Sequence, residues 1–275
     1  MKKLMTVCAA AIVAVATAFA AEAKTWYVTP EGGGDGSAWK SPVTLAEASS
    51  AAQSGDEVWV KAGADYVLTA PLFTTQAVTV RGGFAGTEAT ADERTGSDVS
   101  VFDGTSVDNC IANTAATGTL VLDRLELKNS IYRGLYKTGD ANLQMVGCRI
   151  IGNGTNTGLS ANDTGYKGRG LYIVGSTANK VVVRIEDCRI ADNTQPANGC
   201  FNWQFTTAHG TGAYFENLAS VTMTGTDFIG NGVRRVAADK WYWGNIAPSR
   251  NYFHGSAFFA RSAKMTVENC MFVGN

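Results

Sequence analysis

The residues of this chain best suited to chemistry sit in two segments rich in aromatic and charged side chains. Residues 194–211 hold Trp203 and His209, and residues 232–254 hold Arg234, Arg235, Trp241, Trp243, Tyr252 and His254. Aromatic rings beside hydrogen-bonding groups suit sugars, whose apolar C–H faces stack on such rings. The competing reading is that the rings fold over one another and merely stabilise long loops. Two histidines without a third ligand at recognisable spacing do not make a metal site. There is no phosphate-cradling glycine loop, nucleophile elbow or paired CxxC, so neither metal nor cofactor is expected. Asp187 and Asp227, with Arg149 and Arg189 nearby in the repeat, offer the carboxylate and cation that a polysaccharide lyase or hydrolase needs. Asp163, Asp192 and Asp239 lie in or beside the loops. No distinctive motif joins these groups, and turn carboxylates are ordinarily solvated, so the catalytic residues stay unassigned and the sequence leans away from an enzyme.

Both segments interrupt a repeat. LVLDRLELKNS, LQMVGCRIIGN, VRIEDCRIADN, VTMTGTDFIGN and MTVENCMFVGN begin at residues 120, 143, 183, 221 and 265. Positions one, three and eight are apolar in every copy, and the sixth is Leu125, Cys148, Cys188, Thr226 and Cys270. Alternation over the first four positions marks a strand with one buried face. The phase then jumps at a polar or Gly fifth position, which predicts a bend between two short strands, and the closing Gly/Asp-Asn predicts another. The intervals of 23, 40, 38 and 44 residues fit one three-sided turn, plus a loop in the longer cases. Gly134-Leu-Tyr136, Gly170-Leu-Tyr-Ile173, Gly212-Ala-Tyr-Phe215 and Gly255-Ser-Ala-Phe-Phe259 supply the third strand of each turn. The loops Thr155 to Arg169, Thr194 to Thr211 and Gly232 to His254 all leave after the repeat Asn, so they should line one edge of the coil. Asn153, Asn193, Asn231 and Asn275 should stack and bond neighbouring backbone at the bend. Cys148, Cys188 and Cys270 should form a ladder of buried free thiols, since in-register strands suit disulfide torsion poorly.

With 45% hydrophobic and 17% charged residues the chain can bury a core. A formal charge of −1 gives no footprint for nucleic acid or an anionic membrane. Residues 1–23 read as a signal peptide: Lys2-Lys3, an apolar run from Leu4 to Ala20, then a small-x-small site before Lys24. No other run is long enough to span a membrane, so no span is expected in the mature chain. Residues 24–56 are expected to form an N-terminal cap, with a strand at Thr25 to Thr29 and a helix from about Pro42 to Gln53. Either Ser41 caps this helix, or Thr44 and Glu47 form a capping box. Residues 57–275 are expected to form the rungs, continuing past Asn275, because an uncovered rung would invite association of an otherwise monomeric chain. Strands are expected at Glu57–Lys61, Val78–Val80 and Val99–Phe102, with the segment Arg81 to Glu88 and a charged loop through Ser97 between the last two. The fold class is therefore all-β, a right-handed parallel β-helix (a solenoid) with a short N-terminal capping helix.

YVTPEGGGDGSAWKSPVTLAEASSAAQSGDEVWVKAG, residues 27–63, resembles the opening of bacterial exported parallel β-helix proteins of the pectin-lyase-like class. Phe228-Ile-Gly-Asn231, Phe272-Val-Gly-Asn275 and Gly212-Ala-Tyr214 are similar to the FxxN and GGA[ILVY] repeats of polymorphic outer-membrane proteins and autotransporter passengers. That resemblance implies export to the outer membrane, cell surface or medium, commonly through a C-terminal barrel. The function expected is an adhesin-like passenger whose partner is carbohydrate or a surface protein. A polysaccharide lyase or glycoside hydrolase, and a structural surface-layer or spacer stalk, are the alternatives.

Overall fold

The computed structural model describes residues 22–155, 167–176, 180–196, 207–234, 252–254 and 257–275, with the backbone path alone at 195–196, 207–209, 233–234 and 252–254. The expected signal segment up to residue 21 lies outside the described residues. The chain enters as β1 (Thr25–Val28), passes through α1 (Leu45–Ala51) and winds through β2 (Glu57–Lys61), β3 (Asp65–Val67), β4 (Thr79–Phe84), β5 (Ser100–Asp103) and β6 (Asn109–Asn113). It continues as β7 (Thr119–Asp123), β8 (Leu125–Lys128), β9 (Arg133–Lys137), β10 (Asn142–Val146), β11 (Arg149–Ile151), β12 (Leu171–Val174), β13 (Val182–Glu186), β14 (Arg189–Ala191) and β15 (Thr194–Pro196). The remaining strands are β16 (Thr207–His209), β17 (Ala213–Glu216), β18 (Ser220–Thr224), β19 (Asp227–Ile229), β20 (Gly232–Arg234), β21 (Tyr252–His254), β22 (Phe258–Arg261), β23 (Lys264–Glu268) and β24 (Met271–Val273).

These strands build three parallel sheets. Sheet A runs β1-β2-β4-β7-β10-β13-β18-β23, sheet B runs β3-β5-β8-β11-β14-β19-β24, and sheet C runs β6-β9-β12-β17-β22. From β4 onward, leaving aside the insertion pairs β15–β20 and β16–β21, successive strands fall in A, B and C in turn, which is a right-handed parallel β-helix. Register follows the repeat: Leu120, Leu143, Val183, Val221 and Met265 are partners on sheet A. Leu127, Ile150, Ile190, Phe228 and Phe272 are partners on sheet B. Apart from Met265 and Phe272 on the last described rung, these side chains are buried in one continuous core.

The bends repeat as faithfully as the strands. Arg124, Gly147, Asp187, Gly225 and Asn269, at the fifth position, all have φ between 51° and 59°. Asn129, Gly152, Asp192, Gly230 and Gly274, at the tenth, lie between 55° and 64°. This left-handed region suits Gly, Asn and Asp, which explains the composition of both positions. Arg124 is the exception. Beside the second bend the asparagines stack: Asn153 Nδ2 donates to Asn193 Oδ1 at 3.0 Å, Asn193 Nδ2 to Asn231 Oδ1 at 3.0 Å, and Asn231 Nδ2 to Asn275 Oδ1 at 2.9 Å. Each Oδ1 also accepts the preceding rung's backbone N–H. Cys110, Cys148, Cys188 and Cys270 are free thiols, and Cys148 N–H donates to Cys188 Sγ at 3.4 Å.

Two local expectations need correction. The helix starts at Leu45 rather than Pro42. Residues 41–43 are held extended, because Pro42 O accepts from Gly34 N–H, and Val43 N–H donates to Tyr27 O. The capping box of Thr44 and Glu47 then begins the helix, and an extended Ala52 ends it before Gln53. Leu45, Ala48 and Ala52 bury into the same core as the first rungs. The strand expected to end at Val80 instead runs through Phe84, with a register shift that absorbs Gly82-Gly83 as a bulge. Phe84 is fixed by stacking on Trp59, ring centroids 4.7 Å apart.

The Gly that opens each third strand is required by space. A side-chain carbon at Gly170 would lie 2.4 Å from Gly212 O and 3.0 Å from Asn193 Nδ2. Gly170→Ala is expected to lower unfolding free energy by about 1–3 kcal/mol in urea titration. Asn193→Ala leaves Asn153 N–H without its acceptor and Ile150 O without its donor, so a loss of about 3 kcal/mol is expected in the same measurement.

Candidate ligand-binding face

Sheet C alternates Leu135 and Lys137 on the inner side with Tyr136 on the outer, and the next strands follow. Register places Tyr136, Tyr172, Tyr214 and Phe259 in one outer row. Their ring centroids are 5.2, 5.4 and 5.4 Å apart and their planes lie within 10° of parallel. Arg133 lies over the rings of Tyr136 and Tyr172 at 5.2 and 4.7 Å, and Lys167 lies 4.9 Å over Tyr214. Arg133 Nε donates to Lys167 O, tying the two cations together. Tyr214 Oη donates to Glu216 Oε2 at 2.6 Å, and Glu216 lies 3.5 Å from Arg261. Burial, and then the hydrogen bond to Glu216, push the Tyr214 hydroxyl well above its ordinary pKa. Burial does the same, less strongly, to Tyr172.

This geometry decides what the row can do. Each ring covers its neighbour's face, so a sugar cannot stack on the row from outside. Tyr214 is fully buried and Arg133 nearly so, and the row presents the edges and hydroxyls of the half-buried Tyr136 and Tyr172, with the half-buried Lys167 at its border. That is a line of polar contacts rather than a stacking platform.

The loop residues expected to bind a ligand divide into two groups. Trp203, Arg235, Trp241 and Trp243 lie outside the described residues, as do Asp163 and Asp239. His209 and His254 are register partners in the parallel pair β16–β21, where Tyr252 partners Thr207. Arg234 partners Pro196 in the pair β15–β20. The bases of the second and third insertions therefore pair with the same parallel register as the coil. Among the carboxylate candidates, Asp187 and Asp192 occupy the two left-handed bends. Asp227 partners Arg189 on sheet B, Arg189 partners Arg149, and Arg149 partners Glu126 at 3.8 Å. Among the described residues no three His, Cys, Asp or Glu converge as a metal-ligand set.

Sequence reasoning missed an interior lysine. Lys137 is fully buried in a column with Asn113, Ile173 and Phe215, and its Nζ donates to Gly139 O at 2.8 Å. Burial pulls its pKa down to about 8, against a smaller opposing effect of Asp140. Cys110, by contrast, is pushed up to about 12, chiefly by burial.

No protein-family model matches this chain, and no curated protein matches it. Among solved structures it is similar to the crystal structure of pectate lyase Pel9A, with 13% identity, 90% of this chain and 78% of that one covered, and a TM-score of 0.28. The fold assignment rests on the pairing of the sheets and not on this likeness.

Lys137 sets a pH dependence with a definite sign. The unfolded chain holds the lysine proton up to the ordinary value near 10.4, about two units above the folded state. Stability contributed at this site therefore rises as pH climbs from about 8 to about 10.4. In denaturant titrations, Lys137→Met is expected to be at least as stable as the parent at pH 7, with the advantage shrinking across that window. A difference that stays flat from pH 7 to 10.5 would show that Lys137 does not carry the charge cost.

Proposed function

We propose that this protein is an exported β-helix whose side, formed by the outer face of sheet C and the neighbouring insertions, binds a glycan or a surface protein in the manner of an adhesin passenger. The observation that carries the reading is the half-buried pair Tyr136 and Tyr172, stacked one rung apart, with the half-buried Lys167 beside the row. Polar groups repeat there at the rung spacing and so match a ligand that itself repeats. The insertions support the reading because their paired bases, β15–β20 and β16–β21, keep successive loops in register. Export rests on the reading of residues 1–23, and surface display on the resemblance to polymorphic outer-membrane repeats.

A glycan and matrix-protein array probed with the whole protein tests the proposal. Tyr172→Phe removes one hydroxyl and keeps the stack, and Lys167→Ala removes one cation. Each is expected to weaken a bound array ligand about tenfold, the effect of losing one hydrogen bond to a charged or buried group, while the melting temperature holds. No array ligand for the parent, or unchanged binding in both variants, would leave the row as a structural spine.

A further inference from the structure

We propose that Asp56 forms a binding site for one cation, the α-ammonium group that appears on Lys24 when the signal peptide is cut from the chain. This site rests on the export reading, and adds to it the chemistry of the new chain end. The step is hydrolysis of the Ala23–Lys24 peptide bond by a peptidase of the export route. Water adds its hydroxyl to the Ala23 carbonyl carbon, and the Lys24 nitrogen leaves as an amine that takes up a proton.

The backbone nitrogen of Lys24 is already at the site. It donates to Asp56 Oδ1 at 2.9 Å, while Asp56 Oδ2 accepts from Trp26 Nε1 at 3.0 Å and from Gln53 N–H at 2.9 Å. The ladder holds Lys24 there: its carbonyl accepts from Glu57 N–H at 2.9 Å, and the following residues pair as Thr25 with Glu57 and Trp26 with Val58. The turn after α1 holds Asp56 from the other side, its N–H donating to Gln53 O at 3.0 Å. A chain end one residue earlier would set the ammonium about 3.8 Å further along. One residue later, Glu57 N–H would lose its acceptor. The position of the cut is therefore matched to the carboxylate. Glu22, Ala23 and Lys24 are all exposed, so the bond is within reach of a peptidase.

The carboxylate has no cation in contact. Asp56 is 6% exposed, and it takes part in none of the ion pairs among the described residues. The three groups it accepts from are all neutral N–H donors. Burial alone would raise its pKa, but the bonds from Gln53, Lys24 and Trp26, with a smaller effect of the Lys24 charge, outweigh that and hold it below its ordinary value. The Lys24 side chain is engaged elsewhere: its Nζ lies 3.3 Å from the Trp26 ring centroid and donates to Asp35 O at 3.4 Å. A buried charge without a counter-ion is costly, and a hydrogen bond between two charged groups is stronger than one to a neutral donor. Turning the Lys24 amide into an ammonium supplies the missing charge on an atom that is already in place.

Two measurements test the site. The full chain is expressed in an exporting bacterium and the N-terminal sequence of the recovered protein is read; a start at Lys24 is expected. Melting temperatures are then compared between this mature chain and one that keeps Ala21-Glu22-Ala23, released from a removable fusion, each with and without Asp56→Asn. Asp56→Asn should cost the mature chain about 2–4 °C more than it costs the extended chain, the shift that goes with losing one charge-assisted bond in a protein of this size. Should Asp56→Asn fold in neither chain, the two parents decide, the mature one melting higher by the same margin. Equal losses, or equal parent melting temperatures in that second case, overturn the proposal and leave export standing. A start at another residue overturns it too, and a signal peptide that stays attached overturns it together with export. Array binding bears on none of these results, so the ligand reading can fail alone.

Discussion

Every rung of this protein depends on its neighbours, because the strands' ladder hydrogen bonds run between rungs and not within them. A single turn of the coil satisfies almost none of its own backbone and buries none of its inner face. Stacking in register does both at once, and a slip of one residue would move an entire inner face to solvent. Leu143 over Leu120, Ile190 over Ile150 and Cys188 over Cys148 are therefore one constraint expressed at three corners. The left-handed bends serve the same constraint by resetting the phase at fixed positions in each turn.

That arrangement separates what must be kept from what is free to change. Inner positions are bounded on all sides, which is why Gly134, Gly170 and Gly212 have no room for a methyl group. Outer positions are bounded chiefly by their partners above and below, although Tyr214 is fully buried beneath further cover. Any outer residue repeated at the same offset becomes a row, as Tyr136, Tyr172 and Tyr214 have become. Insertions after the repeat Asn leave the ladder intact, so the coil carries long loops without losing register.

Much of the fold was legible because the repeat encodes it directly. Positions one, three, six and eight named the inner face, and the Gly/Asp/Asn positions named the bends. What escaped notice depends on contacts between distant segments. The start of α1 is set by Val43 bonding back to Tyr27, which no capping pattern shows. In sequence the strand ends at Val80, yet opposite β2 Gly82-Gly83 is a bulge that keeps it going through Phe84. Lys137 reads as a solvated residue until the alternation of β9 turns it inward. The meeting of Arg94 with Asp123 spans 29 residues and follows from no local motif. The tyrosines were visible as third-strand residues, but their face-to-face contact, which limits what they can bind, appears only in three dimensions.

The asparagine stack ties each rung in both directions. From Ser130 through Asn153, Asn193 and Asn231 each side-chain donor bonds the next asparagine's Oδ1, and the Nδ2 of each asparagine also donates back to a strand carbonyl of the preceding rung. A rung that peels away therefore strips acceptors on both sides, an asparagine Oδ1 from the rung before it and a strand carbonyl from the rung after it. Each asparagine is thus a two-way clasp, and the column gives up bonds of both kinds whichever end begins to fray.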